Sequence, residues 1–297
     1  MATKTAEALR LKQSFPECEG WKKWGPYLSE RQWGTVREDY SAHGNAWEYF
    51  PHEHARSRAY RWGEDGIAGF SDCKQRLCIG LALWNTRDPI LKERLFGLTN
   101  SEGNHGEDVK EIYYYLEATP SHSYLKMLYK YPHDRYPYEQ LAAENRRRGA
   151  GDPELEIIDT GLFAQNRYFD VFVEYAQSEP DDILMRITVE NRGPEAAPLH
   201  VLPQVWFRNT WSWRTGVTKP LLSMDTPCGI RAEHRRLGTY HLYLERQPRE
   251  LLFCDNESNP ARLWNDFTRQ GYWKDAFHER VVDDNARAVN QIGRAHV

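Results

Sequence analysis

The densest run of chemically useful side chains is residues 21–66, WKKWGPYLSERQWGTVREDYSAHGNAWEYFPHEHARSRAYRWGEDG. Trp21, Trp24, Tyr27, Trp33, Tyr40, Trp47, Tyr49 and Trp62 are interleaved there with Glu30, Arg31, Arg37, Glu38, Asp39, Glu64 and Asp65. Glycines at 25, 34, 44, 63 and 66 let loops turn tightly or bring backbone close to a ligand. A sugar presents apolar C–H faces and pairs of hydroxyls, so flat rings beside carboxylates and guanidinium groups are suited to hold it. The same residues also make an ordinary aromatic core with a salt-bridged rim, and composition alone does not separate the two.

Paired carboxylates are the machinery of glycoside hydrolysis, one acting as acid and the other as base or nucleophile. Glu30, Glu38, Asp39, Glu64, Asp65, Glu107 and Asp108 are candidates by type, but a sequence does not measure their separation. His52 and His54 flank Glu53, with His43 nearby, yet no companion ligand stands at useful spacing, so no metal is expected. In GNHGEDVKE (103–111), His105, Glu107, Asp108 and Glu111 are explained more simply by capping and loop hydrogen bonds. The chain has no G-x-S-x-G, P-loop or dinucleotide fingerprint, and no cofactor is expected.

A chain of 297 residues holds one large domain or two small ones. Its mean hydropathy of -0.79 is low, so the core must lean on the 11 Trp, 17 Tyr and 11 Phe. A net charge of -4 gives no electrostatic reason to expect nucleic acid or an anionic membrane as partner. No apolar run has the length of a membrane span, and MATKTAEALRLKQSF lacks the apolar centre of a signal peptide, which predicts a cytoplasmic protein. Cys18, Cys73, Cys78, Cys228 and Cys254 show no metal spacing and are expected as reduced, buried thiols.

Period-two alternation identifies the elements that must position these residues. Phe169, Val171, Val173 and Tyr175 face one way, and Ile183, Met185, Ile187 and Val189 repeat the pattern after the turn formers SEPDD, predicting an antiparallel hairpin. LHVLPQVWFRN adds a third strand in meander order, with Pro203 marking an edge or bulge. Further strands are expected at 78–84, 111–118, 123–131, 240–245 and 250–254, and a helix over 138–148. Many short strands without βαβ alternation predict an all-β sandwich.

Four stretches carry a family resemblance: WGPYLSERQWGTVREDYS, EYFPHEHARSRAYRWGEDGIAG, LALWNTRDPILKERLFGLTNSEGNHGEDVKE and TVENRGPEAAPLHVLPQVWFRNTWSW. They resemble the N-terminal half of bacterial glucosidases of glycoside hydrolase family 63, relatives of the mannosyl-oligosaccharide glucosidases. The likeness runs from about residue 20 to residue 285. It implies an N-terminal super-β-sandwich, an (α/α)6 toroid that follows it, and inverting hydrolysis of glucosyl linkages in oligosaccharides or small glucosides. Both catalytic carboxylates would lie in the toroid, which this sequence lacks, so none of its own inherits the acid or base role and the chain alone is expected to be inactive. The sandwich would contribute the mouth of the active site, with Trp24, Tyr27, Trp33 and Trp62 as stacking faces and Glu30, Arg31, Arg37, Glu64 and Asp65 as polar or interdomain contacts. A stand-alone carbohydrate-binding sandwich is the alternative.

The last seven residues, QIGRAHV, have no periodicity, cap or turn signal. They match the translation of a common short-read sequencing adapter, ATC GGA AGA GCA CAC GTC after a codon closed by AG. The expected organisation is therefore a lead over 1–20, a sandwich over 21–290, and adapter read-through over 291–297, with the native chain continuing past Asn290. WFRNTWSW (206–213) is then expected to expose an aromatic face that the missing part would cover.

Overall fold

A computed structural model describes residues 5–14, 18–28, 52–59, 66–98, 102–104, 108–213, 215–290 and 297. The architecture is all-β, built of four antiparallel sheets with a few short helices. One four-stranded sheet joins β1 (Trp24–Gly25), β2 (Ile67–Asp72) and β3 (Leu77–Trp84) to β10 (His200–Phe207). The other runs β6 (Tyr113–Ala118), β7 (Tyr124–Pro132), β8 (Tyr168–Glu179), β9 (Asp182–Asn191). A three-stranded sheet holds β11 (Leu221–Thr226), β12 (Gly229–His234) and β13 (Gly238–Tyr243), and a small ribbon pairs β4 (Gly97–Leu98) with β5 (Asp108–Val109).

The hairpin forms as its alternation requires, with Val173 opposite Ile187. Phe169, Val171, Val173 and Tyr175 are buried against the first sheet, where Tyr175 stacks on Phe70 at 4.6 Å and its hydroxyl donates to Ala68 O at 2.8 Å. Each such side chain contributes roughly 1.5–3 kcal/mol by leaving water. The opposite face of β8 is not simply polar and wet: Asp170 is buried and accepts from Lys130 and Arg192 at 2.6 Å each. Glu174 on the same face is held below the usual carboxylate range by the Tyr124 hydroxyl and by Arg186.

The third strand departs from the meander. β10 leaves the hairpin and crosses to the first sheet, where Val205 lies opposite Ile79 of β3. The reason is burial: β3 and the run from Gln204 to Phe207 are covered on both faces, which suits pairing with β3 better than a place beside the half-exposed β9. Pro203 does mark an edge, since β10 is the last strand of its sheet. Trp206 and Phe207 are likewise core residues rather than an exposed face, although Trp213 is 49% exposed. Room for the Trp206 indole comes from Gly66, at φ +80°, and Gly80; a Cβ on Gly66 would fall 2.9 Å from the ring.

Two further readings change. Residues 250–254 form no extended strand; among the described residues Phe253 bridges to Asn290, and short helices occur at Pro260–Trp264 and Ala276–Val281. Cys18 and Cys73 are joined in a disulfide across 55 positions, because β1 pairs with β2 and Cys73 N donates to Lys23 O at 2.8 Å. Cys78 and Cys254 are buried free thiols, and burial pushes Cys254 up to about 12. No helix among the described residues is long and apolar enough to cross a membrane.

Asp181, in the turn between β8 and β9, fastens three elements together. It accepts from Trp24 Nε1 at 3.0 Å, from the Tyr240 hydroxyl of β13 at 2.7 Å, and pairs with Lys23 at 2.7 Å. Burial works to raise its carboxyl, but these donors outweigh it and hold the group down. Replacing Asp181 with Ala strands the indole and phenol donors and is expected to lower stability by about 2 kcal/mol. Urea midpoints test this, with Asp181→Asn, which keeps an acceptor, expected to lose less.

Candidate functional site

A cleft of about 750 Å³ opens between the single-turn helix His52–Ala55, the stretch from Pro89 to Leu98, and the start of the helix Tyr138–Arg147. Its wall is aromatic. The rings of Phe96, Tyr136 and Tyr138 pack edge to face and tilted, with centroids 4.6–6.2 Å apart, and the half-buried His52 lies 4.7 Å from Phe96 and 5.2 Å from Tyr138. Its rim is charged: Glu53, Arg56, Glu102, Arg135 and Glu139 all line it.

The rings are held from behind by buried ions. Lys92 Nζ sits 3.8 Å over Tyr136 and 4.7 Å over Tyr138, and pairs with Glu111 at 2.7 Å, both side chains being at most 2% exposed. Glu111 also accepts from Phe96 N at 2.9 Å and from the Tyr129 hydroxyl at 2.8 Å. The hydroxyls of Tyr138 and Tyr131 both donate to Asp88, at 3.1 and 3.0 Å. Burial raises the Asp88 carboxyl, with Lys92 acting against it, and burial holds Tyr129, Tyr131, Tyr136 and Tyr138 well above the ordinary phenol value.

Arg56 carries the one donor of the rim that is buried without a hydrogen-bond partner among the described residues, its Nε. Burial and the neighbouring Arg262 disfavour its charge, countered by Asp275, Asp283 and Glu53. A ligand hydroxyl or carboxylate reaching this guanidinium would satisfy it. The carboxylates of Glu53 and Glu139 stand in water, suited to hydrogen-bonding sugar hydroxyls.

Of the residues expected from sequence to bind, Glu30, Arg31, Trp33, Arg37, Trp62, Glu64 and Asp65 lie outside the described residues. Trp24 is 1% exposed, stacked at 6.3 Å on Phe70 and edge-on at 5.3 Å to Tyr240, so its faces are spent in the core and offer no open platform. Tyr27 is half-buried, its hydroxyl donating to Lys22 O at 2.5 Å and its ring edge-on to His122. His52 joins the cleft as an aromatic neighbour, while His54 lies 4.0 Å from Glu53 and is pushed down by burial and Arg58. The group with metal-like spacing among the described residues, Asp108, Glu154 and Glu156, surrounds the buried Lys110 ammonium, which already fills the cation's place. Burial lowers Lys110, but hydrogen bonds to Asp108, Glu154 and Glu156 more than offset it.

Sequence reasoning missed Phe96, Tyr136, Tyr138 and Arg135. The signal was present in RYPYEQ (135–140), where two tyrosines flank a proline at the start of a legible helix.

No protein-family profile matches the chain, and no solved structure matches it. It is 44% identical over 321 aligned residues to the uncharacterized protein YMR196W of Saccharomyces cerevisiae. That alignment takes in 96% of the chain but 30% of the yeast protein, so the chain spans under a third of the length of this relative.

Two outcomes follow from the buried ions. Lys92→Met leaves the Glu111 carboxylate buried and unpaired, and is expected to cost about 3–5 kcal/mol in chemical denaturation, more than the double replacement Lys92→Met, Glu111→Leu. His278, whose Nδ1 accepts from Leu91 N at 3.3 Å, is pushed down to about 4 by burial and by Arg56. A depressed histidine stabilises the fold above its unfolded value near 6.5, and that contribution is lost as pH falls from there toward 4. The loss is about 3 kcal/mol. Denaturation midpoints of the wild type should therefore fall more steeply between pH 7 and 4 than those of His278→Gln.

Proposed function

We propose that this chain is the sandwich portion of a glycoside hydrolase that releases glucosyl units from oligosaccharides or small glucosides, with inversion. The observation that carries the reading is the cleft, whose rim sets the carboxylates of Glu53, Glu102 and Glu139 beside the guanidinium groups of Arg56 and Arg135, above a floor formed by the buried rings of Phe96, Tyr136 and Tyr138. Such a rim can hydrogen-bond sugar hydroxyls, while the rings, almost wholly buried, shape and stiffen the floor of the cleft. The resemblance of the long stretches quoted above supplies the activity, and the greater length of the yeast relative leaves room for a helical catalytic domain outside the present chain. In an inverting reaction one carboxylic acid protonates the leaving oxygen and a carboxylate across the ring activates water. In this reading both belong to that partner domain, and the sandwich orients the substrate.

The alternative, a binding module without catalysis, rests on the same cleft. Calorimetric titration of the purified chain with maltose, nigerose and kojibiose separates them, because a self-sufficient module binds by itself and half a site does not. For the hydrolase reading, Arg135→Ala with Glu139→Ala in the full-length protein is expected to raise KM for its glucoside about tenfold, equivalent to about 1.4 kcal/mol. Both side chains are exposed, so the fold should be unaffected. An unchanged KM and kcat would remove the cleft from the reaction.

A further inference from the structure

We propose that the inner end of the cleft is a halide site, in which one chloride ion sits against Arg56 between the helix His52–Ala55 and the stretch from Leu91 to Phe96.

A nook of about 20 Å³ lies there, sharing His52, Arg56, Phe96 and Tyr138 with the cleft. Room of that size takes one particle of roughly water dimensions and little more. The charged groups that line it are of one sign. His52 and Arg56 come from one segment and Lys92 and Arg94 from another, and the remaining described lining is Tyr138 and apolar side chains, with no carboxylate.

Arg56 is the group in need of an acceptor. Its Nε is buried with no hydrogen-bond partner, and its guanidinium forms no ion pair, among the described residues. The carboxylates whose field favours its charge are engaged elsewhere. Asp275 accepts from Ser57 Oγ at 2.6 Å and from Asn259 Nδ2 at 3.0 Å. Asp283 stands 3.5 Å from His278 Nε2, and the exposed Glu53 lies 4.0 Å from His54 Nε2. Lys92 is already paired with Glu111, so the uncompensated charge facing the nook is that of Arg56.

The surrounding field agrees. Burial and then Arg262 disfavour the Arg56 charge. Burial, then Arg58, with Arg262 behind it, push His54 down, and burial, then Arg56, again with Arg262, do the same to His278. Three groups on two separate segments thus register one local excess of positive charge.

A water molecule would give Nε an acceptor, but it carries no charge to set against three arginines. A halide accepts from the guanidinium, brings no proton that needs an acceptor in turn, and tolerates the apolar side chains around it. Arg56 lines both the nook and the cleft, so an ion in the nook offsets the cost of holding this guanidinium partly out of water and fixes it for a ligand in the cleft.

Urea denaturation of the chain tests the proposal, with sodium isethionate, a bulkier salt, replaced by sodium chloride at constant ionic strength. A site with a Kd of about 10 mM raises the folding equilibrium constant of the wild type about tenfold between zero and about 0.1 M chloride. Arg56→Gln should lose that response, whereas Arg135→Gln, which removes an exposed cation of the same rim, should keep it. Wild-type crystals grown in sodium bromide give a second reading that does not require the Gln variant to fold, an anomalous peak within hydrogen-bond distance of Arg56 Nε. Equal responses in the wild type and Arg56→Gln overturn the assignment, as does no chloride effect at all, which leaves water in the nook. Bromide peaks confined to surface side chains mean an adventitious ion only and overturn it too. The glycosidase reading stands or falls separately, on the cleft variants above.

Discussion

Glu111 is the residue on which the cleft depends. A carboxylate 1% exposed would be costly in apolar surroundings, and it is tolerated because three donors converge on it: the Lys92 ammonium, the Phe96 amide and the Tyr129 hydroxyl. These come from separate parts of the fold, the stretch before β4 and the strand β7. The ion therefore does more than neutralise Lys92. It fixes where Phe96 enters the cleft relative to the main sheet, and it anchors the cation that lies over the faces of Tyr136 and Tyr138.

Asp88 repeats the arrangement one layer away. Its amide is capped by Asn85 Oδ1 at 2.7 Å, its carbonyl accepts from Trp84 Nε1 at 2.9 Å, and its carboxylate gathers two tyrosine hydroxyls. Trp84 is the last residue of β3 and Tyr131 lies near the end of β7, so the two main sheets meet through this loop. A wall of rings held by two satisfied carboxylates has little freedom to rearrange. That stiffness fixes the charged rim above the rings before any ligand arrives.

The strands were legible where one face is apolar and the other is not. β8 and β9 announce themselves by alternation, and the turn residues between them set the register. β2, IAGFSD, was not found, since it is buried throughout and a short apolar run does not distinguish strand from helix. β11 and β12 were missed for the opposite reason, their mixture of polar and exposed residues giving no period. The crossing of β10 and the Cys18–Cys73 bridge are long-range pairings with no local signature. At the site, the sequence showed a mixture of rings and charges but pointed to Trp24, which tertiary packing takes into the core. The wall of the cleft instead comes from tyrosines and a phenylalanine scattered over forty positions, and only the fold collects them.

The two edges of the first sheet are protected in different ways. β1 is only two residues long, too short to template another chain, and it is fastened by Asp181 and by the bridge from Cys18 to Cys73 beside it. β10 is eight residues long and would be hazardous if left bare, yet its first protections are modest: a proline at its middle and the side chain of Asn256 at its end. Asn256 holds φ +50°, accepts from Asn209 Nδ2 through its own carbonyl at 2.8 Å, and is 3% exposed, so it is a built plug rather than a chance contact. Asn256 thereby occupies the outward carbonyl at the Phe207 end of the edge, and Pro203, which has no N–H, removes a donor near its middle.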